Sequence, residues 1–69
     1  MDDVRKIVGR NVRQLREEAG LSQEKLALEA GLDRTYVSGV ERGVRNPTVT
    51  VVARLAASLK TTPDKLLVE

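Results

Sequence analysis

Between residues 34 and 45 the sequence gathers three guanidinium forks, at Arg34, Arg42 and Arg45, with the hydroxyls of Thr35, Tyr36 and Ser38. Eight of the twelve basic residues are Arg. The guanidinium fork suits a phosphate or the edge of a guanine, which the lysine ammonium matches less well. These groups donate hydrogen bonds and carry charge, so they point to recognition and not to bond breaking. The chain has no Cys and no His. Disulfides and thiolate metal sites are therefore excluded, and the commonest metal ligand and general base is missing. Acid–base work would fall on surface carboxylates, and 69 residues leave no room for an enclosed cleft. No enzyme, metal, cofactor or small-molecule ligand is expected. The one aromatic, Tyr36, is too little for a single-strand stacking platform.

These side chains must be carried by one small domain spanning 1–69. Its 41% apolar fraction comes almost wholly from ten Val, nine Leu and six Ala, which suffices for a compact core. The 32% charged fraction is nearly balanced, 12 basic against 10 acidic, so disorder from charge repulsion is not expected. A net charge of +2 neither requires nor excludes an anionic partner, and the distribution must decide. No apolar run approaches the roughly 20 residues of a membrane span. The opening Met1-Asp2-Asp3 is acidic, without the apolar stretch of a signal peptide. With no Cys in addition, a cytoplasmic location is expected.

Gly and Pro punctuate five helical segments. The first is expected over about 3–19, with Val4, Ile7, Val8, Val12 and Leu15 as its apolar stripe and Gly20 as a left-handed stop. Gly9 weakens it slightly. Ser22 offers an N-cap to a helix over about 23–30 that ends at Gly31. Asp33 caps a third over about 34–42, with Val37 and Val40 inward and Arg34, Thr35, Ser38, Gly39 and Arg42 outward. After the 44–47 loop, Thr48 caps a fourth to about Leu59, with Val49, Val52, Leu55, Ala56 and Leu59 inward. Thr62-Pro63 opens a last helical turn or two over 64–68. The expected fold is all-α and compact, with five helices.

The stretch 23–42 carries the strongest signal. Leu26 and Ala30 face inward from one short helix and Val37 and Val40 from the next. Ala27 is small where the two would cross, Leu32 plugs the turn, and Gly31 lies where the chain reverses. These are the requirements of a helix-turn-helix, with helices at about 90–120°.

At these spacings the chain resembles the Cro and lambda-repressor-like, or XRE, family of DNA-binding domains. The matching stretches are Leu21-Ser22-Gln23-Glu24-Lys25-Leu26-Ala27, Gly31-Leu32, Val40-Glu41-Arg42-Gly43 and Arg45-Asn46-Pro47-Thr48, together with Leu55-Ala56, Leu59 and Pro63-Asp64-Lys65-Leu66-Leu67. The string Leu32-Asp33-Arg34-Thr35-Tyr36-Val37-Ser38-Gly39-Val40-Glu41-Arg42 is similar to the controller proteins of restriction–modification systems. The resemblance implies a sequence-specific transcription regulator of double-stranded DNA with its third helix in the major groove. On that helix Arg34, Thr35 and Ser38 are candidates for base reading, Arg34 through the O6 and N7 of a guanine. Gly39 cannot read a base. It could let the helix sit closer to DNA. Ser22, Gln23, Arg42, Arg45 and Asn46 are candidates for phosphate, Ser22 and Gln23 at a helix start whose free N–H groups favour anions. The resemblance adds the Tyr36 hydroxyl to that set and implies that Gln23 bridges phosphate and the third helix. It also implies a structural ion pair of Arg16 with Glu41, tying the first helix to the end of the third.

So small a reader implies a homodimer on a two-fold symmetric site. Val51, Leu66, Leu67 and Val68 form an apolar excess and are the expected dimer surface, with Leu66 and Leu67 alternatively capping the core. The competing readings are an antitoxin-type regulator and a helical protein–protein interaction module. The second is disfavoured by the basic outer face of Arg34, Arg42 and Arg45.

Overall fold

A computed structural model describes residues 3–69, so the acidic Met1-Asp2 opening lies outside the described residues. Four α-helices, α1 (Val4–Glu18), α2 (Gln23–Ala30), α3 (Arg34–Glu41) and α4 (Val49–Ser58), are followed by a 3₁₀ helix, Pro63–Leu67. Each α-helix opens on the kind of residue that satisfies its orphan N–H groups. Asp3, Ser22, Asp33 and Thr48 accept from the backbone N–H of Arg5, Lys25, Thr35 and Val51 respectively. Gly31 closes α2 in the left-handed region at φ 70°, a conformation costly for any residue with a Cβ.

The fifth segment departs from expectation in kind. Thr62 provides no side-chain cap to the backbone, and five residues before the extended Val68 leave no length for an α-helical ladder. A short 3₁₀ piece results, with Pro63 at its start.

α1 packs on α3 and on the 3₁₀ helix, α2 on α3 and α4, and α4 on the 3₁₀ helix. Their inner faces meet in one core of Val8, Val12, Leu26, Ala27, Ala30, Val37, Val40, Val52, Leu55, Ala56, Leu59 and Leu66, with Leu32 packed against it in the turn. Two valines on the stripes that spacing suggests do not reach the core. Val4 is half exposed at the first position of α1, and Val49 is 85% exposed at the first position of α4. Each begins a helix before the neighbouring elements close over it.

Two ties with no signal in apolar periodicity complete the frame. Asn11 on α1 donates to the carbonyls of Leu66 and Val68 at 2.9 and 2.8 Å, pinning the C-terminal segment. Gly9 lies where α1 crosses α3. A Cβ there would strike the carbonyl oxygen of Val40 and come within 2.7 Å of that of Glu41. A glycine in the middle of a helix costs about 1 kcal/mol against Ala, and here it is what permits the close approach.

Candidate nucleic-acid interface

The outward side of α3 is built from the cap upward. Asp33 accepts from the Thr35 N–H at 2.9 Å and from the Thr35 hydroxyl at 2.7 Å. The side-chain bond, then the backbone one, hold the Asp33 carboxyl below its ordinary range. The Thr35 hydroxyl has therefore spent its hydrogen locally, and its methyl and remaining lone pairs are what it can offer a partner. Arg34, Thr35, Ser38 and Arg42 line one shallow depression of about 130 Å³. Arg34 and Thr35 are exposed and Ser38 half-buried. Arg42 folds back along the helix and donates through Nε to the Ser38 carbonyl at 3.3 Å.

Gly39 differs from expectation. It is buried, and a Cβ there would sit 2.6 Å from Cγ of Arg45. The Arg45 stem, and not open space, covers that part of the helix. Its guanidinium carbon lies 5.9 Å from the centroid of the half-buried Tyr36 ring, within reach of a cation–π attraction. Asn46 is exposed in the same loop.

The helix is held in place at its C-terminal end. Arg16 of α1 meets Glu41 of α3 through Nε–Oε2 at 2.6 Å and a second bond at 3.1 Å, and it also donates to the Leu21 carbonyl at 2.8 Å. The Glu41 side chain is 3% exposed. Gln23, at the first position of α2, donates its amide to Glu41 Oε1 at 3.0 Å. Three helices thus converge on one carboxylate. The hydrogen bond it donates to Glu41 is the main reason that the Arg16 guanidinium holds its proton still more firmly than usual. Gln23, for which the resemblance implies a bridge from phosphate to the recognition helix, donates to that helix here, with one amide hydrogen left over. Ser22 is exposed and already accepts from Lys25 N–H, so its hydroxyl hydrogen remains for an anion.

Sequence patterning alone gave no reason to single out Lys6, Arg10 and Arg13. With Gln14, Glu17, Glu41 and Arg42 they line an open cleft of about 380 Å³ beside the C-terminal end of α3. Arg13 is paired there with Glu17 at 3.3 Å. Among the described residues no cluster of acidic side chains could hold a metal ion, and no helix is long and apolar enough to cross a membrane.

The expected dimer residues separate. Leu66 is fully buried in the core and so is not available to a partner. This corrects its assignment to the interface and leaves it the capping role. Val51 is half-buried against the core, whereas Leu67 and Val68 are 51% and 59% exposed. Leu67 faces a mostly apolar cleft of about 200 Å³ that also touches Val4, Pro47 and Val49.

Two short capped helices joined by a left-handed glycine turn, with the second braced at its C-terminal end and armed along its open side, define a helix-turn-helix DNA-binding domain. The chain belongs to the helix-turn-helix family HTH_3, the XRE family of transcription regulators, whose pattern matches residues 12–66. It is 46% identical over 65 residues to the control protein C.SmaI of Serratia marcescens, covering 94% of this chain and 77% of that one. It is 40% identical over 67 residues to the control protein C.BamHI of Bacillus amyloliquefaciens, covering 96% and 83%. The crystal structure of the restriction–modification controller protein C.AhdI of Aeromonas hydrophila superposes with a TM-score of 0.87 at 47% identity, over 90% of this chain and 94% of that one. The biofilm master regulator SinR in complex with DNA superposes with a TM-score of 0.84 at 32% identity, over 88% and 98%. The protein is a DNA-binding transcription regulator and not an enzyme.

Proposed function

We propose that the chain acts as a controller-type regulator that binds a two-fold symmetric operator as a homodimer, with α3 of each protomer in the major groove. One observation carries the reading. Arg34, Thr35 and Ser38 share one depression on the open side of α3, while Glu41, its last residue, locks the C-terminal end of the helix to α1 and α2. A helix so braced enters the groove already ordered. Arg34 reads a guanine edge with its fork, and Thr35 and Ser38 read neighbouring bases through the methyl and hydroxyl. Ser22, Gln23, Tyr36, Arg42, Arg45 and Asn46 position the domain on phosphates, which sets register without carrying sequence information. The likeness to proteins named as control proteins supports this subclass over an antitoxin, and the basic face supports DNA over a purely protein partner. A regulator of this kind works beside the chromosome, in the cytoplasm.

The test is a duplex titration across salt. Log K should fall with log salt at about −0.9 per neutralised phosphate. A flat response, or equal affinity for random and selected duplexes, would remove the reading.

A further inference from the structure

The loop that follows α3 returns its arginine onto the helix. The Val44 N–H donates to the Gly39 carbonyl at 3.0 Å, anchoring the turn on the same residue whose missing side chain makes room for what comes next. From there the Arg45 stem lies flat over Gly39. Measured from an ideal Cβ on that glycine, Cγ, Cδ and Nε of Arg45 fall at 2.6, 3.6 and 3.5 Å. The guanidinium ends 5.9 Å from the centre of the Tyr36 ring, one helical turn back toward the N-terminal end of α3. The three heavy atoms nearest that Cβ position all belong to the Arg45 side chain, leaving aside the chain neighbours and the helix's own backbone. A methyl added at 39 would meet the Arg45 stem first.

We propose that Gly39 is a positioning residue for DNA recognition: its empty side seats Arg45 along α3 against Tyr36, so that a loop cation is presented as a fixed part of the recognition-helix surface. The inference rests on the duplex-binding reading. An arginine loose in a loop must be ordered when it meets a phosphate, whereas a seated one has already lost that freedom. Gly39 therefore acts through Arg45, without touching DNA. The glycine is kept at a cost in helix propensity, which the seat explains.

Tyr36 is the only aromatic residue in the chain, so near-ultraviolet circular dichroism reports the seat in the free protein. Gly39→Ala, Arg45→Ala and the double variant would be measured against wild type, with duplexes selected from a randomised pool by the wild-type protein. Gly39→Ala should melt at or above the wild-type temperature, because Ala favours helix and the nearest obstacle is a flexible side chain. Its Tyr36 signal should shift toward that of Arg45→Ala. Its affinity should fall about 2- to 12-fold, the equivalent of immobilising one rotamer-rich side chain, and the substitution should add no further loss in the Arg45→Ala background. An earlier melt overturns the proposal, since a fixed group would then fill the space. A loss that persists without Arg45 also overturns it, because the methyl would be obstructing DNA directly. So does a Tyr36 signal that ignores Arg45→Ala. If wild type binds no duplex with a salt slope, the functional reading itself has fallen. If wild type binds and Gly39→Ala binds equally well, only the seat has.

Discussion

Arg34 stands where a single side chain has the most to decide. It is exposed directly after the Asp33 cap, and no ion pair within 4 Å engages it among the described residues. Arg34→Ala should cost about 1–3 kcal/mol on the preferred duplex, much less on random DNA, and relax preference at one guanine per half-site. Selection from randomised duplexes with wild type and variant checks this, and identical preferred sites would reduce Arg34 to a phosphate contact. Arg16 is opposite in character. Its partner Glu41 is 3% exposed and also holds Gln23. Arg16→Met strands that carboxylate and should destabilise the domain by roughly 3–5 kcal/mol. Replacing Arg16 and Glu41 together by apolar residues of similar size should cost far less, because no unpaired charge stays buried. Thermal unfolding of the single and double variants separates the two outcomes. If the double variant is as unstable as the single, packing and not charge holds the junction.

The helices show what spacing reveals and what it hides. α2 begins and ends at the residues its signals name, because Ser22 and Gly31 act locally, through their own backbone. The inward faces of α3 and of the middle of α4 were equally legible, since Val37, Val40, Val52 and Leu55 follow helical periodicity into the core. Periodicity cannot say where neighbouring elements stop, so Val4 and Val49 sit on the apolar stripe of their helices and still face solvent. Nor can it show what crosses a helix. The glycines at 9 and 39 look alike in sequence, yet one meets backbone oxygen atoms and the other a movable arginine. Gly9→Ala should therefore destabilise by about 1–3 kcal/mol despite the better helix former, which chemical denaturation would measure. An unchanged or raised midpoint would mean that α1 can lift off α3 at little cost. The start of α3 also carries a pH dependence. The Thr35 bonds lower the Asp33 carboxyl relative to its unfolded value, so its contribution is present above the unfolded pKa of about 3.9 and is lost as pH falls through the folded one. Acid unfolding followed by circular dichroism should lose part of its low-pH slope in Asp33→Asn, which keeps a capping oxygen. A slope identical to wild type would assign acid loss to other carboxylates.

At the scale of the whole molecule, the apolar surface left after folding indicates where a second protomer would sit. The core consumes Leu66 completely, which removes it from any surface and makes it a sensitive reporter of fold. Val4, Val49 and Leu67 are exposed by half or more and border one cleft, and Val68 follows at the end of the same segment. Of the six large apolar side chains left exposed among the described residues, these four gather where the starts of α1 and α4 and the C-terminal segment meet, while Leu28 and Val44 do not line that cleft. A partner placed there would extend the dimer surface beyond Val51, Leu67 and Val68 to include Val49. A charge in this patch should disfavour association without reaching the core. Val49→Asp and Leu67→Asp, made singly, should lower the sedimentation mass toward one chain and leave the helical circular dichroism of the monomer intact. Both should bind an isolated half-site nearly as well as wild type but lose the gain from a second half-site one helical turn away. Leu66→Ala is the internal control. As a fully buried leucine it should cost about 2–5 kcal/mol of stability, seen as an earlier melt. If Leu67→Asp melts as early as Leu66→Ala, the C-terminal segment is core throughout. If neither aspartate changes the mass of a wild type that is itself dimeric, the protomers meet elsewhere, and half-buried Val51 on α4 becomes the next surface to charge.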